Sequence, residues 1–360
     1  MNMTDRTLNL VLSGGGIKGI AFVGAYEELE KNYKRFGNIA GVSAGAIVGA
    51  LIGAGYTSKE LMKILKELDF SKFSQRGGEY LDISISGKIR SLTGDKRALT
   101  DNDIEALMYK QDYPELQLVK RGKDDFRGTR GNFLINLIAF SKKNAFMNGE
   151  LLEKWLSQVL ANKGIHTFSD FRGGIPDKVN PRGYKVRMTA VDANTGKVIV
   201  LPDDIASYNV DPDKLEVAKA IRMSACVPFV FEPVVQMKKE NNHLKPHYII
   251  DGGVLDNFPV WLIDSTQLNN IIGLKLEGKE SKEYLKAENK LKKLLHATHD
   301  IGVPKNSYNI DNIAHINTDS ISFLDFDLDS DDVQFLYNQG KLSVQKLLLS
   351  MQKKNRGWKF

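Results

Sequence analysis

The chain has one cysteine among its 360 residues. A lone thiol excludes an intramolecular disulfide and any cysteine-rich metal centre. Cys226 lies in an apolar stretch ending at Pro228, which reads as packed core. No apolar run reaches the roughly 18 residues of a membrane-spanning helix. The opening residues Met1-Asn2-Met3-Thr4-Asp5-Arg6 carry no apolar signal core, so a cleaved secretory leader is not expected. There are six histidines (His166, His243, His247, His296, His299, His315), and none has neighbours that suggest a Ser-His-Asp triad. His247 is read as structural. Acidic residues are outnumbered 44 to 50, for a formal net charge of +6. A basic balance suits nucleic acid or an anionic membrane surface, and no nucleic-acid motif accompanies it. The sequence shows no internal repeat and no long low-complexity tract.

The chemistry concentrates around Ser43. Gly41-Val42-Ser43-Ala44-Gly45 is Gly-x-Ser-x-Gly followed by a helix rich in Gly and Ala. This pattern makes a serine a nucleophile by holding its hydroxyl up on a sharp strand-to-helix turn. Side chains at 41 or 45 would crowd that turn. The helix N-terminus behind Ser43 favours developing negative charge.

A second motif lies upstream. Leu8-Asn9-Leu10-Val11-Leu12 reads as a buried strand, running into Ser13-Gly14-Gly15-Gly16-Ile17-Lys18-Gly19 and then an apolar helix pattern. Consecutive glycines expose bare backbone amides that can hold an oxyanion, a phosphate or a pyrophosphate. Gly14-x-Gly16-x-x-Gly19 fits the dinucleotide fingerprint, which calls for an acidic residue about 20 positions on; residues 34–44 contain none. A phosphate loop requires Gly-Lys-Ser/Thr, whereas Gly19 is followed by Ile20-Ala21. The oxyanion reading fits best. Lys18 either adds positive charge to the loop or is a solvated lysine at a helix start.

The third motif is late. His247-Tyr248-Ile249-Ile250 reads as a short strand ending in Asp251-Gly252-Gly253. A carboxylate there can reach a neighbouring strand end and take the Ser43 proton as a general base. An ordinary Asp-Gly turn is the plain alternative.

Taken in order, the three motifs resemble those of the patatin-like phospholipase family. Further similarity lies in Arg222-Met223-Ser224-Ala225-Cys226-Val227-Pro228, in Asn257-Phe258-Pro259 and in Phe168-Ser169-Asp170-Phe171. It is strong over about 6–70 and 145–275, and weak over 71–144 and beyond 280. The resemblance implies a serine lipid acyl hydrolase of phospholipase A or lysophospholipase type. Ser43 and Asp251 would be a dyad without histidine. Gly14, Gly15 and Gly16 would form the oxyanion hole, Gly41 and Gly45 the nucleophile elbow. Lys18, Gly252 and Gly253 would support them. No cofactor and no metal are implied. Phospholipid or lysophospholipid is the expected substrate, with peripheral contact at a membrane surface and no nucleic-acid partner. The expected location is the cytoplasm at that surface, with delivery into another cell also open. An esterase or acyltransferase on soluble acyl donors is the alternative, and a non-enzymatic lipid-binding or storage protein a third reading.

Alternating strand and helix patterns predict an α/β fold, a three-layer α/β/α sandwich with a mostly parallel central sheet. Strands are expected at 8–12, in the run up to Val42, and at 185–192, 198–201, 248–250 and 271–276. One catalytic domain is expected over 1–360, with its core at about 6–280. A cap insertion is expected at 71–144, with an apolar run at 132–140, and a helical extension at 281–360. Within that extension, helices are expected at 281–299 and 330–352, and a strand at 321–326. Basic clusters stand at 120–130 and 353–360, the latter ending with Trp358 and Phe360, a pairing suited to lipid interfaces. The run Asp325 to Asp332 lacks the Gly and Glu of a calcium loop. It reads instead as a helix start, with Ser330 as the N-cap.

Overall fold

Strand β1 (Thr7–Leu12) explains the layering. Leu8, Leu10 and Leu12 join one apolar cluster, and Val11 joins another on the opposite face. A strand apolar on both faces must be covered on both. Its buried polar member, Asn9, is satisfied internally: it donates to Gln267 Oε1 at 2.7 Å and accepts the Asn38 N–H at 2.8 Å. The computed structural model describes residues 7–67, 147–228, 230–278, 310–319, 321 and 328–356. The expected cap, the 132–140 run, the 281–299 helix, the 120–130 cluster, the last four residues and most of the 321–326 strand lie outside them.

Seven further strands complete the sheet: β2 (Arg35–Gly41), β3 (Val186–Asp192), β4 (Lys197–Leu201), β5 (Val234–Glu240), β6 (His243–Asp251), β7 (Ile271–Glu277) and β8 (Ile313–Asn317). Their order is β5-β6-β3-β2-β1-β7-β8, with β4 also paired to β3. The pairs β1–β2, β1–β7, β2–β3 and β7–β8 are parallel. The pairs β3–β4, β3–β6 and β5–β6 are antiparallel. The fold is the expected α/β sandwich, built on a mixed sheet.

Six helices are described: α1 (Ile20–Asn32), α2 (Ala44–Gly53), α3 (Ser58–Glu67), α4 (Gly149–Ala161), α5 (Val217–Ser224) and α6 (Ser330–Arg356). The large core joins α1, α2, α4, α5 and α6 to one face of the sheet. The second cluster sets Val260, Leu262 and Ile263, in and beside a 3-10 turn, against Val11, Ala40 and Ile271. Helix α6 begins at Ser330, but its cap is Asp329, not the expected Ser330. The Asp329 carboxylate accepts the N–H of Asp331 and Asp332, both at 2.8 Å. A carboxylate at the N-cap answers the unpaired amides and the helix dipole together.

Helices α1 and α6 touch through backbone. A Cβ on Gly24 would collide with the Tyr337 carbonyl, and one on Gly340 with the Ala21 carbonyl. Gly340→Val is therefore expected to cost about 3 kcal/mol or more. Thermal unfolding checks this; an unchanged midpoint would show that the helices can move apart at no cost.

Candidate active site

Strand β2 ends at Gly41, and the chain reverses into α2 through Val42 and Ser43. Ser43 sits at φ 54°, ψ −122°, a positive-φ conformation outside the left-handed helical well that non-glycine residues rarely adopt. The turn is held by its surroundings. A Cβ on Gly41 would meet the Gly45 carbonyl oxygen at 2.5 Å, and one on Gly45 would strike the Leu12 carbonyl and lie 2.6 Å from that of Ser13. The Ser43 carbonyl accepts from Ala46 and Ile47 N–H at 2.9 and 3.1 Å, starting the helix. Its own N–H donates to Ser224 Oγ at 3.0 Å, and Ser224 Oγ–H donates to the Thr189 carbonyl at 2.7 Å.

Ser224 thus ties the strained serine to β3. Ser224→Ala would leave the buried Ser43 N–H without its acceptor. The expected cost is about 1–3 kcal/mol of stability, read by urea unfolding; no change would show that the turn does not depend on this link.

The glycine loop lies against the serine. A Cβ on Gly14 would come within 3.3 Å of Ser43 Cβ. The loop is pinned on its far side, where Ser13 N–H donates to the Leu274 carbonyl at 3.0 Å and Ser13 Oγ accepts from Leu276 N–H at 3.0 Å. Gly14 N–H donates to the Asn257 carbonyl at 3.1 Å. The Gly14 amide is thus engaged within the fold, whereas the expectation had counted Gly14 with Gly15 and Gly16 in the oxyanion hole. The lack of a side chain at Gly14 serves packing, since a Cβ would collide with Asn257 Oδ1. Gly15, Gly16 and Ile17 head the 3-10 turn Gly16–Gly19, where amides have no intrahelical acceptor. Gly16 has φ 56°, the region glycine occupies without strain. Lys18 is buried in the same turn, not solvated at a helix start.

Asp251 arrives on β6. Strand β2 pairs with β3 up to Gly41 opposite Met188, and β6 pairs with β3 down to Asp251 opposite Ala190. Only Thr189 separates the two ends along β3. Asp251 Oδ1 accepts the Gly253 N–H at 2.7 Å, while Oδ2 is buried and accepts no full hydrogen bond. Burial raises the carboxyl to about 7, against the smaller opposing pull of the nearby Ser43 hydroxyl and the Gly253 amide. The Ser43 hydroxyl is thus near Asp251 without completing a hydrogen bond to Oδ2. Gly252 and Gly253 admit tight neighbours: a Cβ on Gly252 would lie 2.5 Å from the Thr189 carbonyl oxygen, and one on Gly253 2.8 Å from Asn257 Oδ1.

The structure therefore brings Ser43, the glycine loop and Asp251 to one place. Two residues with roles that the motifs did not reveal, Ser224 and Asn257, lie in the weaker blocks of similarity, which was the available signal. His247 is elsewhere on β6, buried between Asp192 and Glu240 at 2.8 and 3.1 Å, as a structural residue would be. Cys226 is buried core, and burial pushes its thiol up to about 12. Among the described residues, no helix is long and apolar enough to cross a membrane.

A family model described as patatin-like phospholipase matches residues 10–264. The protein YqhO of Bacillus subtilis strain 168 is 34% identical over 270 residues, which is 75% of this chain and 71% of YqhO. A probable lipid hydrolase, 463L of Invertebrate iridescent virus 6, is 24% identical over 259 residues, covering 70% of this chain and 61% of its own length. Among solved structures, VipD from Legionella pneumophila shares the fold with a TM-score of 0.50 and 17% identity, over 96% of this chain and 67% of VipD.

Proposed function

The chain belongs to the patatin-like phospholipase family, a family of lipid acyl hydrolases, and on that premise we propose that Ser43 and Asp251 are the catalytic dyad of a hydrolase cleaving fatty-acyl esters of glycerophospholipids. The observation that carries the proposal is the strained Ser43 beside a buried carboxylate oxygen with no hydrogen-bond partner.

The reaction runs in two halves. Ser43 Oγ attacks the ester carbonyl carbon as its proton passes to Asp251 Oδ2. The carbonyl oxygen becomes an oxyanion, held by the amides of Gly15, Gly16 and Ile17 at about 2.7–3.1 Å. The intermediate collapses, the ester C–O bond breaks, and Asp251 returns the proton to the departing lysolipid alkoxide. Water then attacks the acyl-serine with Asp251 again as base, releasing the fatty acid and restoring Ser43. Bare, Asp at its ordinary pKa near 3.9 is a weak base for this. Burial that brings it to about 7 matches it to neutral pH. The N-terminal end of α2 adds favourable potential for the oxyanion.

The test is fatty-acid release from mixed phospholipid vesicles by the purified chain, with products identified by mass. Release of fatty acid and lysolipid is expected. Turnover of short soluble esters with no action on any vesicle would move the assignment to an esterase of soluble substrates.

A further inference from the structure

The β5–β6 hairpin stands beyond the sheet. Strand β6 leaves β3 at Ile249, opposite Asp192. Residues His243 to Tyr248 continue past that point, about 20 Å at roughly 3.3 Å per residue. Because β6 runs antiparallel to β3, this overhang rises from the edge where β1 and β2 end, which is the edge bearing Ser43. Its turn is Asn241-Asn242, with φ 50° and 65°, the left-handed pair of a tight two-residue hairpin.

The two faces of the hairpin differ. On the inner face His247 Nδ1 lies 2.8 Å from Asp192 Oδ2, which also accepts from Tyr208 Oη at 2.7 Å, and Lys238 Nζ sits 5.0 Å above the Tyr208 ring. These contacts fix the overhang to the body. On the outer face, directly paired residues bring Val235 against Tyr248, Met237 against Pro246 and Lys239 against Leu244. Leu244 is 61% exposed, Val235 46% and Met237 43%. Adjacent exposed apolar side chains mark an interaction surface rather than a chance exposure.

We propose that this outer face is an interfacial anchor that seats the Ser43 edge on an anionic lipid surface. The inference rests on the lipid reading of the Ser43 site. Charge favours a lipid occupant: Lys239 stands on the outer face itself, Lys238 and Lys245 lie on the other face of the same overhang, where Lys245 pairs with Glu240 at 3.2 Å, and the overhang stays net positive on a chain that is +6 overall. Lysines beside an apolar strip attract anionic headgroups while the strip enters the acyl boundary. A membrane held at this edge would deliver ester groups to the side on which the nucleophile opens.

Vesicle flotation of the full chain as its Ser43→Ala form tests the anchor without lipid turnover. The probe is phosphatidylcholine vesicles with and without phosphatidylglycerol. Binding is expected, stronger with phosphatidylglycerol. Leu244→Ser should weaken it about tenfold, and Val235→Ser/Met237→Ser/Leu244→Ser at least about 100-fold, with unchanged thermal unfolding. Leu244→Trp should be quenched by brominated lipid. With Ser43 intact, the triple variant should still cleave a soluble short-chain ester and lose vesicle hydrolysis. Equal flotation of parent and triple variant overturns the proposal. So does a parent that fails to float, including one that self-associates through this face and is made monomeric by the triple substitution. If no ester is cleaved by any form, the hydrolase reading fails, while flotation still decides the anchor.

Discussion

Ser43→Ala and Asp251→Asn are each expected to reduce fatty-acid release from phospholipid vesicles by at least about 10³-fold, and the double variant by little more. Groups that act as one unit lose function together, because a base with no nucleophile and a nucleophile with no base both leave only binding and the oxyanion amides. Release assays with the purified variants check this. Retained release in Ser43→Ala would remove the serine from the mechanism altogether. A small loss in Asp251→Asn with a large one in Ser43→Ala would assign proton transfer to water or another side chain. Parent activity should also follow Asp251: its base form disappears below about pH 7, so kcat/KM is expected to fall about tenfold per unit on the acid side.

The same carboxylate should weaken the fold it serves. In the unfolded chain Asp251 titrates near 3.8, and in the folded chain near 7. Between those values the folded state holds a proton that the unfolded state releases. The stability Asp251 contributes is therefore full below about pH 4 and is lost as pH rises to about 7. Asparagine does not titrate, can keep the Gly253 hydrogen bond through its Oδ1, and puts an amide where Oδ2 has no partner. Asp251→Asn is expected to be more stable than the parent at pH 8 by roughly 4 kcal/mol, and nearly level at pH 4. Urea unfolding at the two pH values measures the difference. A gap independent of pH would mean that Asp251 is not a strained buried acid. A stability gain on losing the base is the trade that a site built for chemistry makes.

Much of this arrangement was legible before folding. Local rules sufficed for the elbow, because Gly-x-Ser-x-Gly is its signature; Gly41 is required inside the turn by the Gly45 carbonyl, while Gly45 is required by the Leu12 and Ser13 carbonyls where β1 ends. They sufficed for β1, β2, β3, β4 and β7 within a residue or two at most ends other than the start of β2: β1, β4 and β7 carry continuous apolar runs, β3 alternates through Val186, Met188 and Ala190, and β2 leads straight into the serine motif. Strand β5 was missed: Val234 and Val235 point to opposite faces and lysines follow, so neither a clean alternation nor a buried run is present. Strand β8 was missed because five residues with a central His315 carry too little pattern. The start of β6 was missed because Pro246 and Lys245 stand where a central strand would carry apolar residues; that portion has left the sheet body.

By itself the sequence singled out the residues proposed to carry the chemistry: a serine on a glycine-flanked turn, a glycine loop after a strand and an Asp-Gly-Gly turn. Those signals are local, since each depends on what the backbone can do within a few residues. Tertiary structure alone decided how they act. It withdrew the Gly14 amide into a hydrogen bond with Asn257 and buried Lys18. It recruited Ser224 from 181 residues away to hold the Ser43 turn, and turned β6 antiparallel so that Asp251 ends one residue from the end of β2 along β3. The physical reason is that amide partners, burial and the raised acidity of a carboxyl depend on which distant segments are brought into contact, and no window of neighbouring residues contains them.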